Sequence, residues 1–389
     1  MSQLKVNTIR HTGATSDAIT LANDGTATAR ITNNLSNRNL IINGAMNIFQ
    51  RGTSSTSTGY QTMDRMYFYW TGHDEALEQH ESPLTKANDS GPWEKGFRKS
   101  FYMRNGNQTS GAGAGDLASF QYTVEAYDLA TSGWNCTDPN SKLTLSFWVM
   151  SSVAQTFYGY LYINDGGGDS FSYSTGALSA NTWKYVTVTI PGHADLAVDF
   201  DNGPGMTIYL QPFMGTDRTT SGHTLGAWQS WDSANRTPDN TSTWWTTNDA
   251  SLEITGLQLE VGDTATDFEH RSYGDELLRC YRYYYRQGDG VDWGYTIVDN
   301  DNQWMDTVVH FPVDMRIAPT AVEGSGDSGD YRVRRDTTKT CTGGPNFNTA
   351  GTKAGVVRFG VSSHGWSTGD VARAYSGSSS AFIGWSAEL

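Results

Sequence analysis

The sequence predicts an all-β protein, and three observations carry that prediction. The chain is 37% hydrophobic and only 17% charged, with 12% aromatics and 42 glycines; short strands joined by Gly/Ser/Thr/Asn loops have this profile. Apolar residues alternate with period two, as at Leu143, Leu145, Phe147 and Val149, which marks strands with one face on a core. Clusters such as GNQTSGAGAGD, NDGGGDS and DNGPG break the chain between those runs, where a helix would otherwise have to fit. The implied order is an N-terminal arm of hairpins over 1–36, a jelly-roll β-sandwich over 37–271, a connecting helix over 272–287 and a smaller β domain over 288–389.

Each element has its own warrant. In the arm, Leu4, Val6, Ile9, Ile19, Leu21 and Ile31 are apolar snippets separated by turns such as Asn23-Asp24-Gly25. They suffice for hairpins but not for a core, so the arm needs something larger to order against. Nine strands follow, at 39–42, 63–70, 97–104, 120–126, 143–149, 157–163, 185–190, 206–213 and 252–261. The stretch 215–249, rich in Gly, Thr, Asn and Trp, shows no strand; loops of that length are functional or disordered. In the last sandwich strand Leu252 and Ile254 alternate in one phase and Leu257, Leu259 and Val261 in the other. The slip at Thr255-Gly256 predicts a β-bulge, because one inserted residue moves the apolar set to the opposite face. From Asp275 to Arg286 the spacing of Leu277, Leu278, Tyr281, Tyr284 and Tyr285 is helical, with Ser272 as N-cap and Asp275 and Glu276 placed for the helix dipole. Strands at 308–313, 331–335, 355–361 and 381–385 form the last unit.

Composition narrows the function classes. No apolar run approaches the roughly 20 residues of a membrane helix, so membrane insertion is not expected. The opening MSQLKVNTIR lacks the apolar core of a secretory signal. Cys136, Cys280 and Cys341 lie far apart with no C-x-x-C, against both a disulfide framework and a zinc site. These features suit synthesis in a reducing cytoplasm. The net charge of −14 disfavours nucleic acid as a partner. It is unevenly spread: Lys5, Arg10, Arg30 and Arg38 against Asp17 and Asp24 give residues 1–38 a net of +2, leaving −16 on the rest.

Two aromatic groups are candidate carbohydrate-binding residues. In FYGYLYI, Phe157, Gly159, Leu161 and Ile163 point to one face, and Tyr158, Tyr160 and Tyr162 line the other, where Thr, Lys or Ser would be usual. Such a ladder can stack on sugar C–H faces and offer hydroxyls to sugar hydroxyls; equally, a loop or a neighbouring subunit can cover it. Trp228, Trp231, Trp244 and Trp245 sit in the long loop, either as a saccharide platform or folded back on the sandwich. Acidic turns, above all Asp199 and Asp201, offer oxygen ligands for a structural calcium without matching an EF-hand; no cofactor is required. No paired-carboxylate pattern, H-E-x-x-H, G-x-S-x-G or phosphate loop marks a catalytic centre, so no enzyme is expected.

The segments ITGLQLEVGDTATDFEHRSYGDELLRCYRYY, NRNLIINGAMNIFQRGTS, KLTLSFWVMSS and NTWKYVTVTIPG resemble bacteriophage tail-fibre and related virion proteins carrying a carbohydrate-binding-module-like sandwich. SGSSSAFIGWSAEL is similar to the last strand of phage fibre domains. The resemblance implies a virion component made in the host cytoplasm, a homo-oligomer, specifically a trimer, joined to other virion proteins through residues 1–36 and adhering to host surface glycans. Two other roles fit the same residues: a purely structural head-fibre or tail component, and a polysaccharide depolymerase.

Overall fold

Two six-stranded antiparallel sheets face each other across one apolar core that runs from Ile41 to Leu259 in sequence. The computed structural model describes residues 6–15, 17–23, 25, 27–29, 37–288, 290, 292–299 and 303–389. The first sheet orders its strands Trp228–Ser230, Asp169–Ala177, Thr156–Ile163, Pro204–Met214, Leu117–Glu125, Tyr67–Thr71; the second orders Lys184–Pro191, Lys142–Ser151, Ser251–Val261, Lys99–Arg104, Glu78–Pro83, Ser54–Ser55. This is the all-β jelly roll that the alternation predicted. Leu143, Leu145, Phe147 and Val149 all point into the core. The pairing of Ser251–Val261 with Lys142–Ser151 slips between Thr255 and Gln258, so the phase change is a bulge, with Gly256 at φ +64°.

Segment 39–42 departs from expectation. It is not a strand: Asn39 turns its carboxamide Oδ1 on the N–H groups of Ile41 and Leu259, and Leu40 N–H reaches Leu259 O. A side chain that bonds its own backbone competes with the ladder, so the segment runs beside Ser251–Val261 on isolated bonds. The arm forms three short antiparallel strands, Thr8–Ile9, Ile19–Leu21 and Ala27–Ala29, with Val6, Ile9 and Leu21 exposed. Residues 1–5 and 30–36 lie outside the described set, including Leu4, Lys5, Arg30 and Ile31.

The helix runs Tyr273–Tyr281, with Ser272 Oγ accepting the Asp275 N–H at 3.2 Å and Asp275 and Glu276 in its first turn. It stops earlier than its aromatic spacing suggests, because Tyr284–Gly288 is a strand paired with Phe382–Ser386. Adjacent strand residues point opposite ways. Tyr284 gives its hydroxyl to Glu323 at 2.8 Å beneath the Arg51 guanidinium, while Tyr285 packs edge-on against Tyr281 and Phe311. A helix would have set the two rings about 100° apart instead.

Beyond it, a three-stranded sheet (Tyr284–Gly288, Phe382–Ser386, Val322–Gly324) and a seven-stranded sheet enclose a second core around Trp293, Met305, Val357, Phe359 and Trp385. Residues on either side of the helix are joined by buried polar bonds. Arg282 and the Tyr283 hydroxyl converge on the Glu125 carboxylate, at 2.9 and 2.6 Å. Glu388 receives Arg65 at 2.6 Å and Arg51 at 3.2 Å. Arg316 spans Asn202 O, Ala387 O and Glu388 O at 2.6–2.7 Å. Arg65 is buried under Tyr283, so removing its anion leaves an uncompensated charge. Glu388→Ala is expected to lower stability by about 3–5 kcal/mol, read as a shift of the urea midpoint; an unchanged midpoint would mean that water reaches Arg65.

Candidate glycan-binding site

Tyr158, Tyr160 and Tyr162 share the outer face of the first sheet, opposite Ser174, Ser172 and Ser170 on one side and Gln211, Tyr209 and Thr207 on the other. They do not form an open platform. Tyr160 is 1% exposed: it stacks on Tyr209 at 4.3 Å, and Trp231 lies over both Tyr160 and Tyr162 at 5.4 and 4.8 Å. The 215–249 stretch folds back to make this cover. His223 bonds Ser172 Oγ at 2.9 Å, Arg218 bonds Gly115 O at 2.8 Å, and Arg236 sits over the Trp231 ring. Burial drives the Tyr160 hydroxyl far above the usual phenol range.

The loop tryptophans are likewise turned inward. Trp228 packs on Phe171 and donates to Pro191 O at 2.6 Å. Trp244 and Trp245 are 0% exposed in the core, on the short helix Thr243–Thr246. Trp245 packs on Phe213 and donates to Gly111 O, and Asn105 Nδ2 caps the carbonyls of Trp244 and Trp245. Trp244, Trp245 and Tyr160 are therefore core and cover residues, since burying an indole gains more than displaying it in water. Tyr158 and Tyr162 stay half-buried, as does Trp231.

Asp199 and Asp201 serve turns. Asp165 accepts the Asp199 N–H at 2.9 Å, and Asp201 accepts that of Gly203 at 2.7 Å. Among the described residues no group of three or more His, Cys, Asp or Glu side chains is arranged as a metal-ligand set.

An open concavity lies on the opposite sheet. A groove of about 730 Å³ runs between loop 85–97 and loop 262–271, lined by Phe97, Trp148, Tyr185, Phe268 and His270, with Lys95, Thr266 and Asp267 at its rim. Trp148 and Tyr185 are a cross-strand pair with rings 5.2 Å apart. Phe97, Phe268 and His270 form a mutual ring cluster at 4.8–5.2 Å, and His270 Nε2 bonds Lys95 O at 2.8 Å. Two glycines make this possible. A Cβ on Gly256, in the bulge, would lie 2.6 Å from the Phe97 ring, and one on Gly91 would lie 2.9 Å from the Trp148 indole. The bulge thus shapes the groove floor. Loop 85–97 is held down by Asp89, which takes the Trp183 indole N–H at 3.0 Å and the Thr85 N–H at 2.7 Å.

This site was missed in the sequence although a signal existed. In LSFWVM, Trp148 occupies the outward phase between Phe147 and Val149; in WKYVTVTI, Tyr185 occupies the outward phase beside Val186. Two large rings in the phase that should be polar, on strands that pair, mark a covered or binding face.

Near the same loop, burial lifts the Glu253 carboxyl from 4.5 to about 7, Ser100 opposing the rise and the Asp89 charge adding to it. The raised value means the folded state holds a proton that the unfolded state releases. This contribution to stability is complete below about pH 4.5 and is lost as pH rises through about 7. Glu253→Gln is expected to remove about 2.5 kcal/mol of the fall in stability between pH 5 and pH 8, measured by urea unfolding at both values. Parallel pH dependence in the two proteins would show that Glu253 ionises freely in the fold.

No family model matches the chain, and no curated protein matches it. Among solved structures, the enzymatically active domain of bacteriophage CBA120 tailspike protein 4 aligns at 11% identity and TM-score 0.30, over 58% of this chain and 21% of that one. The N-terminal cellulose-binding domain of Cellulomonas fimi β-1,4-glucanase C aligns at 11% and 0.26, over 55% and 98%. A family 11 carbohydrate-binding module from Clostridium thermocellum, in complex with a β-1,3-1,4-mixed-linked tetrasaccharide, aligns at 11% and 0.25, over 56% and 98%. Scores of this size leave the functional reading to the groove itself.

Proposed function

We propose that this chain is a non-enzymatic virion protein of the tail-fibre or receptor-binding kind, which adheres to host surface glycans through the Trp148–Tyr185 groove. The groove carries the reading. It joins aromatic faces, suited to sugar C–H surfaces, to a rim of Lys95, Thr266 and Asp267 that can bond hydroxyls. Its carboxylates, Glu94 and Asp267, are exposed, and Asp267 pairs with Lys95 at 3.7 Å. Neither has the burial that tunes a general acid, which supports binding without hydrolysis. The virion placement is supported by the resemblance of the sandwich segments, and attachment through the arm by the exposed Val6, Ile9 and Leu21. Self-association, for which the resemblance implies three copies, would multiply weak single-site affinity, because linked sites rebind at high effective concentration.

A host-glycan array probed with the purified protein tests the reading. Binding that Tyr185→Ala reduces supports it. No binding to any glycan or envelope preparation would leave a packing role only, and new reducing ends on incubation with capsule would overturn the non-enzymatic assignment.

A further inference from the structure

The outer face of the seven-stranded sheet is unusually apolar for a surface in water. Tyr295 is 78% exposed, Ile297 54%, Val308 52% and Val371 50%. They are neighbours: Ile297 pairs with Val371, and Tyr295 lies on the same strand two residues before it, while Val308 stands on the adjoining strand two residues beyond Asp306, the partner of Ile297. The inward phase of the same strands, Thr296, Val298, Met305 and Val309, already fills the second core. Four exposed large residues in the other phase are therefore not spare core residues. Contiguous patches of this kind mark interaction surfaces.

The charges flanking the patch suggest its occupant. On one side, Arg334 and Arg373 are paired across strands, and Asp292 lies beside Arg373 at 3.2 Å. On the other, Asp306 and Asp299 both bind Arg358, at 2.7 Å each. Among these described residues two arginines and one aspartate stand on one flank, two aspartates and one arginine stand on the other, and an apolar stripe runs between them. The chain as a whole carries −14, so most other faces would meet a copy of themselves with like charge. Seven strands about 4.8 Å apart and some six residues long present roughly 600 Å², near the roughly 800 Å² per partner of a stable interface.

We infer that this face packs against a second copy of the chain, the Arg334/Arg373 flank of one copy meeting the Asp299/Asp306 flank of the next around a shared apolar stripe. The inference extends the self-association proposed above and is independent of glycan binding. Light scattering of the purified full chain at tens of micromolar tests it. The expected mass is an integer multiple, two or more, of 42.7 kDa. Ile297→Asp with Val308→Asp is expected to give a monomer with an unchanged circular dichroism spectrum, since both side chains point away from the core. A charge exchange, Arg373→Asp, is expected to weaken association at least tenfold, and Arg373→Asp mixed with Asp306→Arg to recover it in part. A monomeric wild-type protein, or association untouched by the Ile297/Val308 substitutions, would overturn the inference. Glycan binding by the monomeric variant reports on the groove separately.

Discussion

Trp148→Ala is expected to weaken glycan binding about 30-fold or more, the effect of losing about 2 kcal/mol at a central aromatic contact. The indole is fixed before any ligand arrives. Gly91 lies against its edge, Tyr185 faces it across the ladder, and both strands are anchored on the core through Phe147 and Val186. A rigid aromatic surface binds with little ordering cost. Because Trp148 also packs against residues around Phe97 and Trp183, its removal costs some stability. Tyr185→Ala is the cleaner partner: the ring is exposed, so the fold should keep its melting temperature while affinity falls. Isothermal titration against the best array ligand distinguishes the two. Tyr158→Ala, on the other sheet, should leave affinity unchanged. If Tyr158→Ala abolishes binding and Tyr185→Ala does not, the site lies on the first sheet.

A large effect on folding, matching that of Glu388→Ala, is expected from Trp245→Ala, at about 3–5 kcal/mol for a fully buried tryptophan. That is a large part of the 5–15 kcal/mol typical of a domain. The lost ring vacates its contact with Phe213 and strands Gly111 O, the acceptor of its indole N–H. Urea unfolding reads the loss directly, and Trp245→Phe, which restores the apolar contact but not the N–H, should recover about half. A loss below 1 kcal/mol would mean that the short helix Thr243–Thr246 is not part of the cooperative unit.

The strands were legible wherever alternation was clean. Leu143 to Val149 and Phe157 to Ile163 have one apolar and one outward phase, and both sit in the sheets nearly as read. The Thr255-Gly256 bulge was legible for the same reason, as a break in a pattern strong enough to show a break. Glu78–Pro83 was not: EQHESP contributes Gln79 and His80 to an edge region held by hydrogen bonds more than by apolar burial, so it carries no periodic signal. The Asp169–Ala177 strand did carry one, with Phe171 and Tyr173 inward between serines, but its Ser and Gly content imitates a loop. Function was harder to read. Tyrosine and tryptophan follow the same sequence rule whether they face a sugar or a covering loop, and what decides is the fold-back of 215–249, which depends on bonds such as His223 to Ser172. The groove needed two loops distant in sequence to meet over Trp148, and no local pattern encodes that meeting.

The Glu388 carboxylate, gripped by Arg51 and Arg65, and the Leu389 carbonyl, which takes the Tyr60 hydroxyl at 2.7 Å, give the distal unit a second mooring on the sandwich besides the helix. A joint pinned at several points, Arg316 on Asn202 among them, resists swivelling as a single-hinge joint cannot. A pull on the C-terminal unit would then be carried into the sandwich at more than one place, so the two would turn together rather than swivel apart.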